Sequence, residues 1–252
     1  MISQRALAVW RRNFLVWRKL AIPSLLGNLA DPMIYMFGLG YGLGGLLPEV
    51  GGTSYIAFLA AGTLCASTMN AASFEALYSA FSRMHVQKTW EAIMNAPLSL
   101  DDILAGELLW AATKATLSGA AILLVVALLG FAQSPQALWV LPLVFLTGLA
   151  FSALGLCVTA VAVSYDFFMY YFTLFVTPMM LMSGVFFPLD QLPPLLQALA
   201  QALPLTHAVA VARPLLLGQA PQDVALHLAV LAAITVVAYH VAVRLTRRRL
   251  LR

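Results

Sequence analysis

The sequence predicts an all-α membrane protein with six transmembrane helices, an N-terminal amphipathic helix and short re-entrant helices before the last span. Three observations predict this fold class. Hydrophobic residues make up 62% of the chain and charged residues 10%, against about 45–50% and about 25% in soluble domains. Six segments have the length and hydropathy of a membrane span. Of the 14 Lys and Arg residues, 12 lie in the segments 1–22, 82–100 and 244–252, as expected of cytoplasmic loops.

The first 22 residues predict a helix that lies on the membrane surface. At about 100° per residue, Ala6, Trp10 and Phe14 fall on a broad apolar face, and Arg5 and Arg12 fall on the opposite face. Basic amphipathic helices of this kind settle among lipid headgroups. The sequence leaves open whether the helix is a topological anchor or a gate or docking element.

The six predicted spans define one membrane domain over residues 1–252. They lie at roughly 24–46, 55–81, 104–131, 137–163, 166–187 and 224–243, each near the ~20 apolar residues that a span needs. An even number of spans places both chain ends on one side. Because both ends and the 82–100 loop are basic, we expect all three in the cytoplasm. The net charge of +4 indicates membrane lipids as partners rather than nucleic acid.

Residues 188–223 are the most irregular part of the chain. They contain six of the 13 prolines, yet leucines recur at helical spacing between Pro194 and Pro204. Two short helices that dip back from the outer face of the membrane fit this composition, provided that neighbouring helices shield their free backbone groups.

The 82–100 loop predicts a short cytoplasmic helix over residues 83–95. Its apolar stripe consists of Val86, Trp90, Ile93 and Met94, and Pro97 would end it. Ser99 and Asp102 are spaced as a capping box for the next helix. The side chains expected to face water are Arg83, Gln87, Lys88 and Glu91. An interfacial loop helix and a docking surface for a cytosolic partner both fit this pattern.

Three segments carry a family resemblance: residues 89–99 (TWEAIMNAPLS), 182–193 (MSGVFFPLDQLP) and 203–207 (LPLTH). In this order along essentially the whole chain, they resemble ABC-2-type transporter permeases, in particular the nodulation-factor exporter and daunorubicin-resistance type permeases. The resemblance implies a homodimer of six-helix subunits in the bacterial inner membrane. Two copies of a separate cytosolic ATPase would drive it and would bind the ATP and Mg²⁺. This chain has no G-x-x-x-x-G-K-[ST] motif, so we expect it to hold no nucleotide by itself. It also has no H-E-x-x-H or G-x-S-x-G motif and no His/Cys cluster, so we expect it to be no enzyme and to hold no cofactor or metal.

The resemblance also implies a role for the helix predicted over 83–95, which would be the coupling helix that moves with the ATPase. Its candidate partner-binding residues are Arg83, Gln87, Lys88, Thr89, Trp90, Glu91 and Met94. We expect Trp90 to anchor that contact and Glu91 to fix its register.

Charged and aromatic side chains within the spans are candidates for a substrate path, since charges there are costly and often functional. The candidates are Asp31, Glu107, Lys114, Phe167, Tyr170, Tyr171 and Phe175. Pairing of Glu107 with Lys114, or of either with Asp31, would make those charges structural instead. The aromatic residues would equally suit an interfacial belt or packing. Glu75 is expected to face water or the N-terminal helix.

The leading hypothesis is export of an amphipathic or lipid-linked molecule, such as a lipo-oligosaccharide, a polysaccharide, a lipid or a hydrophobic drug. The alternative is a stand-alone secondary transporter or channel, which would need intramembrane ion ligands and often an internal repeat that this sequence does not show. A membrane enzyme is disfavoured because we find no clustered polar constellation. The four histidines in particular lie far apart in the sequence.

Overall fold

The computed structural model describes residues 4–47, 49–132 and 134–251. Helix α1 (Gln4–Trp17) leads through a 3-10 turn (Arg18–Leu20) into α2 (Ala21–Gly44), and a small hairpin of β1 (Glu49–Val50) and β2 (Thr53–Ser54) follows. The central helices are α3 (Tyr55–Val86), α4 (Thr89–Met94), α5 (Leu100–Leu128) and α6 (Val140–Val161). The last four are α7 (Phe167–Met182), α8 (Pro194–Ala200), α9 (Pro204–Leu216) and α10 (Val224–Leu250).

The helices confirm the all-α membrane class. Within the described residues, five helical stretches are long and apolar enough to cross a membrane, or six if the bent pair α8–α9 counts as one span. The fifth predicted span, 166–187, is wrong in length, because α7 ends at Met182. Its 16 residues rise roughly 24 Å, short of the ~30 Å hydrocarbon core. Gly184, with φ of +72°, lies in the turn that follows.

The helix predicted over 83–95 is also wrong as a single element. Residues 82–86 instead extend α3 as a π-helical turn, and Lys88 breaks the chain direction with φ of 55°. Helix α4 therefore contains only the six residues Thr89–Met94. The start of α5 matches the prediction: Ser99 and Asp102 form the reciprocal capping box.

Residues 188–223 do form two short helices, as predicted. Pro194 and Pro204 stand in the first turn of α8 and α9, where the missing N–H costs nothing, and the two axes meet at 87°. Helix α9 packs into the bundle against α3, α6 and α10.

Helix α3 occupies the centre of the bundle and packs against α2, α5, α6 and α9. Small residues permit these close approaches: a Cβ on Gly155 of α6 would lie 2.7 Å from the Cβ of Ala76 on α3. The largest apolar cluster joins α3, α5, α6 and α9. A second cluster forms where the end of α3, α1, α4 and the start of α5 meet α6 and α10, around Phe81, Trp90 and Ile103.

The three basic segments share one end of the bundle. Arg247, near the end of α10, donates from Nε to Asp101 Oδ1 in the first turn of α5 at 3.0 Å. Arg249 donates to main-chain carbonyls at the end of α6, including that of Ala162 at 2.7 Å. Helices α1 and α4 both pack against α5. Both described chain ends and the 82–100 loop therefore lie together, as the charge pattern predicts.

Candidate functional site

Four charged side chains meet inside the protein between α3 and α5, and we call Glu75, Arg83, Glu107 and Lys114 the ion cluster. Arg83 donates from Nε to Glu107 Oε1 and from Nη2 to Glu75 Oε1, both at 2.9 Å. Lys114 Nζ donates to Glu75 Oε2 at 2.7 Å. The carboxylate side chains are 4% and 2% exposed. Two cations therefore balance two buried carboxylates, which the apolar surroundings require.

Two indole rings complete the hydrogen bonding of the ion cluster. Trp110 Nε1 donates to Glu75 Oε1 at 2.8 Å, and Trp90 Nε1 donates to Glu107 Oε1 at 3.1 Å. Trp90 is the buried residue of α4, at 1% exposure. Because a hydrogen bond to a charged group contributes about 1.5–3 kcal/mol, this contact fastens the short α4 to α5.

The ion cluster corrects several predictions. Arg83 was expected to face water but is mostly buried, because the two carboxylates draw it inward. Glu75, expected to face water or the N-terminal helix, faces that helix: it lines a cavity with Asn13 and Trp17 and is the buried shared acceptor of Arg83, Trp110 and Lys114. Glu107 and Lys114 pair with members of the ion cluster, not with each other or with Asp31. Both charges are therefore paired, through partners that the sequence analysis did not consider.

The exposed side of α4 differs from the predicted one. Trp90 is buried, so it does not offer its ring to a partner at the surface. Gln87, Lys88 and Glu91 are exposed as predicted, and Lys88 Nζ pairs with Glu91 Oε1 at 2.8 Å. Thr89 and Met94 are half-buried.

Helix α1 covers the ion cluster instead of resting its aromatic face on lipid. Trp10 Nε1 donates to Thr113 Oγ1 at 3.0 Å, and Phe14 and Trp17 pack edge-on against Trp110. The apolar face was thus predicted correctly, but its neighbour is α5. The exposed large apolar side chains of α1 lie elsewhere, at Leu7, Leu15 and Val16.

A second feature is a groove between α2 and α7, which we call the α2–α7 groove. The groove has a volume of about 350 Å³, and its lining residues are Tyr35, Leu39, Thr177, Met180, Leu181 and Phe186. A cleft of only about 10 Å³ adjoins it, lined by Asp31, Thr63, Ser67 and Asn70 and sharing Tyr35 and Met180. The groove is therefore mainly apolar, with the exposed carboxylate of Asp31 at one edge. Of these residues, sequence reasoning identified only Asp31, since the others are ordinary residues of apolar spans.

The aromatic candidates of α7 separate into two groups. Phe167, Tyr170 and Phe175 are exposed on the surface of the protein, at 39%, 64% and 36%. Tyr171 points inward, with its hydroxyl 3.5 Å from Ser73 Oγ. The first three are therefore accessible to a substrate or a second chain, whereas Tyr171 packs within the bundle.

Two polar contacts near the bent pair α8–α9 were missed. His207 and His227, expected to be far apart, lie with their Nδ1 atoms 2.8 Å apart, and His207 Nε2 hydrogen-bonds the carbonyl oxygen of Gln201. Arg213 donates to the carbonyl oxygen of Gly184, and its guanidinium lies 3.6 Å from the centroid of the Phe58 ring. No sequence spacing connects these partners, because tertiary packing of α9 brings them together.

Comparisons with known proteins agree with this architecture. The family model described as ABC-2 type transporter matches residues 4–217. Nodulation protein J from Rhizobium leguminosarum bv. viciae is 52% identical over 98% of this chain and 95% of its own length. Nodulation protein J from Rhizobium meliloti is 49% identical over 97% and 94%. Inner membrane transport permease YadH of Escherichia coli is 25% identical over 80% and 78%.

The resemblance that the sequence predicted is therefore confirmed by a family match over most of the chain and by relatives that align along nearly all of it. With its bundle of apolar helices, this chain is a multi-pass membrane protein and belongs to the ABC-2 type transporter family.

Proposed function

We propose that this chain is the permease subunit of an ATP-driven exporter that moves an amphipathic or lipid-linked molecule, first of all a lipo-oligosaccharide, across the bacterial inner membrane. The observation that carries this proposal is the near full-length likeness to Nodulation protein J. The working unit would contain two copies of this chain and two copies of a cytosolic ATPase, with both termini in the cytoplasm.

The α2–α7 groove supports an amphipathic substrate. Its apolar lining suits acyl chains or other hydrocarbon, and Asp31 and Asn70 at its edge offer a carboxylate and an amide. Sugar hydroxyls can hydrogen-bond such groups, and sugar rings stack on aromatic faces such as that of Tyr35, which lines the groove and is 40% exposed. A molecule with one polar and one apolar end would match this arrangement.

Asp31 supports a second copy of this chain. It lies near the middle of α2 and is exposed, although an aspartate at the centre of a lipid-facing helix costs about 2.5–3.5 kcal/mol. Ile34, Tyr35, Gly38 and Tyr41 continue the exposed stripe at helical spacing. In a homodimer this stripe would face the partner copy or a polar path between the copies.

Helix α4 supports a coupling role. The exposed Glu91 of α4 would meet the ATPase together with Gln87 and Lys88, which precede the helix, and the bond from Trp90 to Glu107 would pass movement of α4 to α5. Arg83, which lies on α3 and binds both Glu107 and Glu75, would pass the same movement from α5 to α3. Trp90 is then an internal link in coupling, in place of the surface anchor that the sequence predicted.

Reconstitution tests the proposal. The chain is placed in proteoliposomes with and without a nucleotide-binding subunit from the same genome, and ATPase stimulation and flux are measured for lipo-oligosaccharides, lipids and drugs. We expect flux only with both subunits and ATP. Flux by the chain alone under an ion gradient would instead identify a secondary transporter.

A further inference from the structure

A small polar cavity lies beside the ion cluster, between α1 and the facing sides of α3 and α5. Its volume is about 170 Å³, and its lining residues are Arg12, Asn13, Val16, Trp17, Glu75, Ser79, Arg83, Trp110 and Lys114. At about 30 Å³ of liquid volume for each water, it has room for roughly five water molecules. A phosphate group with its four oxygens therefore fits.

The charges at this cavity do not cancel. Arg12, Arg83 and Lys114 contribute three positive charges, whereas Glu75 and the Arg83-bound Glu107 contribute two negative ones. The sum is one positive charge, contributed by the partly buried Arg12, in a cavity that is partly open to water. A bound anion would offset this surplus.

Asn13 provides an unused donor at the same place. Its side chain is buried, at 3% exposure, and its Oδ1 accepts a hydrogen bond from Arg12 Nη1 at 2.9 Å. That bond fixes which end of the amide is oxygen. Its Nδ2 has no hydrogen-bond partner among the described residues, although buried polar groups are nearly always satisfied.

From the missing acceptor and the surplus charge together, we propose that this cavity binds a phosphate group with one negative charge, as carried by the phosphodiester of an anionic phospholipid or by free phosphate. Arg12, Asn13 and Lys114 would donate to its oxygens. Bound phosphate would neutralise the cavity and hold α1 against the ion cluster.

The surroundings of the cavity favour a lipid as the source of the phosphate. Val16 lines the cavity and is 57% exposed, and Leu20 and Ile22 continue an apolar surface at 65% and 72% exposure. Acyl chains could lie along these side chains while the headgroup enters the cavity. Basic pockets at the cytoplasmic ends of membrane helices bind anionic headgroups in this way.

Native mass spectrometry of the purified full chain tests the site, with phosphatidylglycerol, phosphatidylcholine and inorganic phosphate as probes. The test variants are Arg12→Gln and Asn13→Asp. Arg11→Gln is the matched control, since it removes the same charge from the neighbouring, exposed position of α1. We expect wild type and Arg11→Gln to retain phosphatidylglycerol over phosphatidylcholine, and both test variants to bind it at least tenfold more weakly.

Thermal unfolding separates lost binding from lost folding. Asn13→Asp supplies the missing negative charge internally, so without lipid it should unfold at or above the wild-type temperature while no longer being stabilised by phosphatidylglycerol. Stabilisation of wild type by inorganic phosphate, lost in Arg12→Gln, would support the site with free phosphate as its occupant.

If Arg11→Gln and Arg12→Gln lose the same amount of phosphatidylglycerol binding, the attraction is diffuse and the proposal is overturned. Equal binding of phosphatidylglycerol and phosphatidylcholine by the wild type would also overturn it. Because no ATPase or flux enters these measurements, the result is independent of the proposed export function.

Discussion

At the scale of single residues, the main surprise is how the membrane-embedded charges are paired. Sequence reasoning correctly treated Glu107 and Lys114 as costly groups that need an explanation. It could not find their partners, because Arg83 lies 24 residues from Glu107, and Glu75 lies 39 residues from Lys114. Only the packing of α3 on α5 brings these four groups together. Charge inside a span could thus be recognised from sequence, but its role could not.

Glu75 should be the most sensitive member of the ion cluster. Glu75→Gln leaves Lys114 and part of Arg83 without a carboxylate in a buried site, which typically costs about 3–5 kcal/mol. Glu91→Gln removes a carboxylate from an exposed pair, worth about 0–1 kcal/mol. Thermal or denaturant unfolding of the two variants should therefore differ clearly. Adding Lys114→Met to Glu75→Gln should recover part of the loss, and equal stability of the two single variants would show that the cluster does not contribute.

Trp90 should matter for coupling through its N–H group. Trp90→Phe keeps a large buried ring but removes the donor to Glu107, so α4 should move more independently of α5. In the reconstituted complex we expect normal insertion and ATPase activity but several-fold less transport per ATP hydrolysed. Trp139→Phe, at a 68% exposed position, is the control. Unchanged coupling in Trp90→Phe would reject the role of this bond.

At the scale of elements, the sequence predicted the features with local causes, such as helix starts, but not those that depend on contacts between distant segments. The Ser99–Asp102 capping box and the two proline-started helices α8 and α9 were predicted because their causes lie within a few residues. The prediction of one helix over 83–95 was wrong because Arg83 and Trp90 both hydrogen-bond to the buried Glu107. Arg83 does so from the extension of α3 and Trp90 from α4, and the chain turns between them at the left-handed Lys88. The apolar face of α1 was visible in the sequence, but its partner α5 was not.

The docking of α1 on α5 depends on Gly106. A Cβ at this position would lie 2.5 Å from Val9 Cβ and 2.7 Å from the carbonyl oxygen of Ala6, so Gly106→Ala should push α1 away at a cost of about 1–3 kcal/mol. Gly27→Ala is the control, since its Cβ would have open space. We expect a lower unfolding temperature and faster labelling of a cysteine at the buried Ala6 only in Gly106→Ala.

At the scale of the whole molecule, composition and charge pattern were sufficient for the membrane class and for the grouping of the basic segments at one end. They were insufficient for the surfaces that the single chain leaves exposed. Asp31 and Tyr35 on α2 and Tyr170 on α7 are exposed. An exposed aspartate within a span is better suited to a protein partner or a polar path than to lipid hydrocarbon.

This distribution predicts which helices meet in the assembled transporter. Single cysteines would replace Ile34 on α2, Tyr170 on α7 and Val237 on α10, which are 66%, 64% and 64% exposed, in a background where Cys65 and Cys157 are alanine. Because these side chains are similarly accessible, differences in oxidative cross-linking in membranes report proximity to a second copy. We expect covalent dimers from position 34 or 170 and none from position 237, since α10 carries no intramembrane carboxylate that needs cover. Dimers from position 237 alone would instead place the interface at α10. Asp31 would then lie away from any path between the copies.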